Sequence, residues 1–181
     1  MDIEHFSELV SYLRKQGFID NSENPSCKIL TGGVSNRTIL VSTEQRKGFI
    51  VKQVLTKLNV KEDWFSPPER IFVEARALEV LPNLIPKGCS PALIFEDRDQ
   101  FILIMEAIPQ PHENWKSLLL RGIVRLDHVD QFARLLAAIH GQTDHNDHYA
   151  RLFSEKEFFE SLRLNAYYHF ASEQVPEARE F

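Results

Sequence analysis

The chain has 181 residues, 43% of them apolar and 26% charged, ordinary proportions for a globular fold with a real core. A net charge of −5 without a long basic run recommends neither nucleic acid nor a membrane as partner, and no stretch approaches the ~20 apolar residues that span a bilayer. Acids at Asp2 and Glu4 argue against a signal peptide, and Cys27 and Cys89, without metal-ligand spacing, read as reduced thiols of a cytoplasmic protein.

Phe6, Leu9, Val10 and Leu13 recur at helical spacing and predict an amphipathic helix that Gly17 stops. Residues 20–26 are polar and predict a loop without core-forming side chains. Strands are predicted near 28–31, 37–42 and 48–55, the last two joined as a hairpin by the tip at residues 44–48. Between the first two lies the paired-glycine turn Gly32-Gly33, and the third carries Lys52 among apolar neighbours. Glycines let main-chain N–H groups approach an anion closely, and a lysine ammonium supplies a point charge for phosphate.

Ser66-Pro67-Pro68-Glu69 has the form of a capping box with proline at the first helical position, and predicts a helix to about Leu81, ended by Pro82. A further strand pair is predicted near 91–96 and 100–105 around the turn at residues 96–99, its second member apolar enough to be buried on both faces. Pro109 and Pro111 then break the chain. Helical patterns follow at Trp115 to Leu119, Val129 to Ile139 and Phe158 to Leu164, without another strand. The expected class is therefore α+β: a mainly β part over residues 1–109 and a helical part over 110–181.

Taken singly, these features have plainer readings. Gly32-Gly33 is also the form of an ordinary hairpin turn. Lys52 is also compatible with a lysine pointing to water. Glu74 stands at the i+4 position from Arg70 and is suited to pair with it on a helix surface.

Together, residues 30–36 (LTGGVSN), 48–53 (GFIVKQ), 73–81 (VEARALEVL), 103–109 (LIMEAIP) and 135–141 (LLAAIHG) resemble the aminoglycoside phosphotransferase-like kinases, a superfamily that includes choline, methylthioribose and homoserine kinases. The resemblance implies a protein-kinase-like N-terminal lobe, an antiparallel sheet of about five strands with a flanking helix, followed by the first helices of a C-terminal lobe. It implies ATP and Mg²⁺ as cofactors and a small hydroxyl compound of unknown identity as acceptor. The Gly32, Gly33, Ser35 and Asn36 turn would cover the phosphates, Lys52 would contact them, and Glu74 would hold Lys52. Met105 would back the adenine, whose edge would bond the Glu106 carbonyl and the Ile108 N–H.

The family's His-Gly-Asp-x-x-x-x-Asn loop does not occur in the chain. His140-Gly141 is followed by Gln142, and His145-Asn146-Asp147 has Leu152 where the asparagine belongs. The expectation is a chain that stops before the catalytic loop, with no catalytic residue and no metal ligand of its own. Residues 144–148 are expected to form a solvated loop, since His145 and His148 lack further ligands for a metal. The alternative expectation is a non-catalytic kinase-like module for nucleotide or protein binding; oligomeric state is left open.

Overall fold

The computed structural model describes residues 1–43, 48–175 and 177. The expected hairpin tip falls on residues 44–47, outside the described residues, as do Pro176 and residues 178–181.

Helix α1 (Phe6–Lys15) buries Leu9 and Leu13 completely, while Phe6 remains 38% exposed. Gly17 ends it in the left-handed region at φ 77. The Gly17 N–H donates to Arg14 O and the Phe18 N–H to Leu13 O, the paired bonds of a glycine-capped helix end. The following loop is less polar in its packing than its sequence: Glu23 is buried, and its carbonyl accepts from Arg14 Nη2 at 2.9 Å.

Five strands follow: β1 (Ser26–Ile29), β2 (Asn36–Ser42), β3 (Phe49–Val54), β4 (Leu93–Asp97) and β5 (Ile102–Glu106). They form one antiparallel sheet in the order β1-β2-β3-β5-β4. The last strand begins later than its apolar run suggests. Asp97 Oδ1 accepts the N–H groups of Asp99 and Gln100, each at 2.9 Å, and Phe101 takes φ 50, so the turn consumes residues 98–101.

One face of the sheet is sealed by α1 and the segment before it: Ile3, Leu9 and Leu13 pack on Ile39, Val41, Val51, Ile102 and Ile104. Phe18 adds ring contacts to Phe49 and Phe95 with centroids 6.3 and 5.3 Å apart. The opposite face is covered in part by α2 (Arg70–Val80), whose Ile71, Ala75 and Leu78 pack on Val54 and Leu103. The expected capping box is not formed. Glu69 makes no capping bond, the buried Ser66 Oγ has no partner among the described residues, and the guanidinium of Arg70 takes the carbonyls of Ser66 and Pro67 instead. Pro82 falls in the 3₁₀ turn Leu81–Asn83 that closes α2.

Tyr12 on α1 donates to Asp97 Oδ2 at 2.7 Å, pinning the helix to β4. Partial burial pushes the Asp97 carboxyl up, but the bonds from Tyr12 and from the Gln100 and Asp99 amides outweigh this and hold it below the usual carboxylate range. A carboxylate with a depressed folded pKa takes up its proton more readily when unfolded, so its contribution is present above about pH 4 and lost as pH falls through the folded value. Tyr12→Phe should therefore cost ~1 kcal/mol near neutral pH, the low end for a bond to a half-solvated charge. Urea unfolding at pH 7 and pH 3 checks this: the difference from wild type should shrink at the lower pH.

The helical part comprises α3 (Trp115–Leu120), α4 (Leu126–Thr143), α5 (Asp147–Leu152) and a last segment, α6 (Glu157–Phe159) and α7 (Phe170–Gln174), joined by a π-helical stretch Glu160–His169. The expected loop at residues 144–148 is shorter than the sequence suggests: Asn146 Oδ1 accepts from the His148 N–H at 3.1 Å and starts α5 at Asp147. Helix α4 buries none of its residues, leaving Val129, Phe132 and Leu136 well exposed. It is tied to the turn after α2 by Gln142 Nε2, which donates to Leu84 O at 2.7 Å, and to α3 by Phe132, whose ring lies 5.3 Å from that of Trp115. Among the described residues no helix is long and apolar enough to cross a membrane.

Candidate functional site

Strand periodicity places the residues of β3 on two faces. Phe49, Val51 and Gln53 point toward α1, where Gln53 accepts from the Ile3 N–H and donates to Met1 O. Ile50, Lys52 and Val54 therefore share the face that α2 covers, with Val54 in its core. Lys52 stands opposite Thr38 of β2 and Leu103 of β5, and Met105 stands opposite Ile50. Lys52 and Met105 thus lie on one face of adjacent strands. Thr38, Leu40 and Ile50 share that face: Ile50 follows from counting by twos along the strand, whereas Thr38 and Leu40 are placed there by the register of β2 on β3.

Lys52 Nζ donates to Glu74 Oε1 at 2.5 Å, with the two side chains 20% and 34% exposed. Of the two partners open to Glu74 from sequence, Lys52 and Arg70, the structure joins it to Lys52. The reason is that Arg70 is occupied elsewhere: its Nη1 donates to the carbonyls of Ser66 and Pro67, each at 2.9 Å, and its Nη2 to those of Ser35 at 2.7 Å and Leu55 at 2.6 Å. An ammonium has three donors. With one spent on Glu74, two remain on a side chain that is still 20% exposed.

The glycine turn closes β1 onto β2 and lies at the same end of the sheet as the end of β3. Its base is fixed by the Leu30 N–H on Thr38 O at 2.8 Å and the Leu55 N–H on Ser35 O at 2.9 Å, and Val34 O accepts from Asn59 at 2.8 Å. Gly32 takes φ +104, where a side chain would be strained, and has open space where a Cβ would stand. The amides of Gly32 and Gly33 have no acceptor among the described residues. Free N–H groups on such a turn suit an anion, as the unspent donors of Lys52 do. Asn36 presents a buried Oδ1 without a partner among the described residues; a flip of this amide would set its N–H₂ there instead.

Two cavities flank the turn. One, of about 550 Å³, is lined by Gly32, Gly33, Asn36, Thr38 and Lys57. The other, of about 730 Å³, has Ser35, Asn36 and Glu74 on one wall and Phe158, Tyr167 and Phe170 on the other. The last helical segment thus packs beside α2 through a Trp64–Phe170 edge contact at 5.8 Å, a partner its sequence did not reveal. Trp64 belongs to the connector after β3, folded back by an isolated bridge between Lys57 and Phe65 that periodicity gives no sign of.

At the end of β5 the backbone alternates. The Glu106 N–H donates to Ala92 O at 2.9 Å and the Ala107 N–H to Gly48 O at 3.1 Å, while the Ile108 N–H has no acceptor among the described residues. Glu106 and Ile108 have exposed side chains, and Met105 is half-buried. The residues expected to hold phosphates and those expected to hold a base therefore lie at the two ends of one sheet surface.

The chain matches no protein-family model and no curated protein.

Proposed function

We propose that this chain is the ATP-binding portion of a small-molecule O-phosphotransferase with a protein-kinase-like N-terminal lobe. The observation that carries it is the 2.5 Å contact of Lys52 with Glu74 on the sheet surface next to the glycine turn. In this assignment Lys52 meets the phosphates, Glu74 fixes its ammonium, and the Gly32 and Gly33 amides, with Ser35 and Asn36, cover the triphosphate. Met105 backs the base, whose edge meets the Glu106 carbonyl and the Ile108 N–H.

Magnesium enters as a companion of the triphosphate, where it neutralises charge; no residue of this chain is assigned to hold it. The 181 residues contain no His-Gly-Asp-x-x-x-x-Asn segment, so binding rather than turnover is what they are expected to perform. A missing base alone removes ~10²–10⁴ in rate. The acceptor is a hydroxyl compound of unspecified class.

Calorimetric titration of the 181-residue chain with MgATP tests the assignment. Saturable binding with a preference for ATP over AMP is expected, and absence of binding at millimolar nucleotide would remove it. A second assignment, an interaction module of kinase-like shape, is favoured by the apolar side chains of the helical part, among them Leu120 at 78% and Leu126 at 81% exposure. Chain that ignores nucleotide yet self-associates or retains a protein partner would favour it.

A further inference from the structure

Arg70 is 8% exposed, a rare degree of burial for a guanidinium. No carboxylate pairs with it among the described residues. Its four bonds go instead to backbone carbonyls of three separate segments: Ser66 and Pro67 before α2, Leu55 after β3, and Ser35 at the end of the glycine turn. Burial lowers its pKa, but an arginine keeps its charge in proteins.

The arrangement is more specific than packing requires. Four carbonyls converging on one spot repel one another without the cation, and among the described residues only the Ser35 oxygen of the four has a backbone donor outside helices and strands, the Leu55 N–H. The planar fork of arginine reaches all four at once; the single ammonium of lysine has three donors and no fork. Arg70 also begins the helix that carries Glu74 one turn later. One side chain thus spans from the Ser35 carbonyl to the first residue of the helix that carries Glu74.

We infer that Arg70 is a positioning residue that joins the glycine turn to α2, so that the turn and the Lys52–Glu74 pair present themselves to a triphosphate as one unit. The inference deepens the nucleotide assignment above and, for its effect on binding, rests on it. Arg70 touches no phosphate in this scheme; it acts through the Ser35 carbonyl and through α2.

The test compares wild type, Arg70→Lys and Lys52→Ala in binding of MgATP and of adenosine, with ¹H–¹⁵N amide spectra of the ligand-free proteins. Arg70→Lys should bind adenosine within about twofold of wild type and MgATP about tenfold or more weakly, the effect of losing a charge-assisted bond that acts only on the phosphate end. Its ligand-free spectrum should show Gly32, Gly33 and Asn36 displaced together with Glu74. Equal losses for both ligands, or turn resonances left in place, would overturn the inference, because a merely structural role moves affinity for both ligands through the folded fraction.

If Arg70→Lys does not fold, the wild type decides. Slowly exchanging Arg70 guanidinium protons that shift on saturation with MgATP support the tie, and protons that do not shift overturn it. A wild type that binds no MgATP removes the nucleotide assignment instead; the ligand-free amide displacements in Arg70→Lys then settle the joining of turn and helix on their own.

Discussion

Replacing Lys52 with alanine should weaken MgATP binding by roughly a hundredfold while the protein stays folded. Hydrogen bonds to charged groups are worth about 1.5–3 kcal/mol, which corresponds to about 10- to 150-fold in affinity. The upper part of that range is expected here for a second reason. Loss of the ammonium frees the Glu74 carboxylate, 2.5 Å from it in the wild type, and leaves a negative charge facing the phosphates. The double variant Lys52→Ala with Glu74→Gln should consequently bind MgATP better than Lys52→Ala alone. The pair is partly exposed, so its removal should lower stability by no more than ~1 kcal/mol. Calorimetry for affinity and urea unfolding for stability separate the two effects; binding indifferent to Lys52→Ala would end the assignment of this lysine.

Leu13→Ala should give the opposite pattern. Leu13 is fully buried between α1 and the sheet, and deleting such a side chain costs ~2–5 kcal/mol in lost transfer energy and residual cavity. That is a large fraction of the ~5–15 kcal/mol that holds a domain together. Because α1 covers the face turned away from Lys52, MgATP affinity of the remaining folded molecules should stay within about twofold of wild type. Denaturant midpoints and a titration corrected for the folded fraction check both halves. A strong affinity loss without loss of stability would mean that α1 reaches the ligand surface in a way the sheet register does not suggest.

The five strands were legible because their apolar runs are short and bounded by glycine, proline or acidic turns, and helix α1 because its stripe and Gly17 agree. The α+β class followed from the order of these elements. What escaped were contacts made by side chains folding back on the main chain. Ser66 and Glu69 have the spacing of a reciprocal cap, yet the Ser66 N–H that Glu69 would have to reach already donates to Thr56 O at 3.0 Å, and the Ser66 carbonyl is held by Arg70. Nothing in one-dimensional spacing ranks those alternatives. The same ambiguity covered Glu74, for which spacing alone favoured Arg70 at i−4 and the family resemblance pointed to Lys52, until the guanidinium proved to be engaged. The bridge of Lys57 with Phe65 and the seating of Phe170 on Trp64 join segments without periodic signals of their own.

The site was legible as residue types in order, not as a surface. That Thr38, Leu40 and Ile50 accompany Lys52 depends on register, which pairs Thr38 with Lys52 and Leu40 with Ile50. Hairpin register is set by the loop joining the strands as well as by their pattern, so the partners across the sheet emerge only from the fold.

The two-sided character of β3 makes the strand intolerant of changes in length. Inserting a single residue before Ile50 would exchange the parity of everything after it, driving the Lys52 ammonium into the aliphatic layer under α1 and turning Val51 outward to where a polyanion is expected. The chemistry of this strand can therefore vary one position at a time, whereas a single added residue keeps Lys52 on its face only if a bulge absorbs it, as the irregularity between Leu93 and Phe95 does in β4.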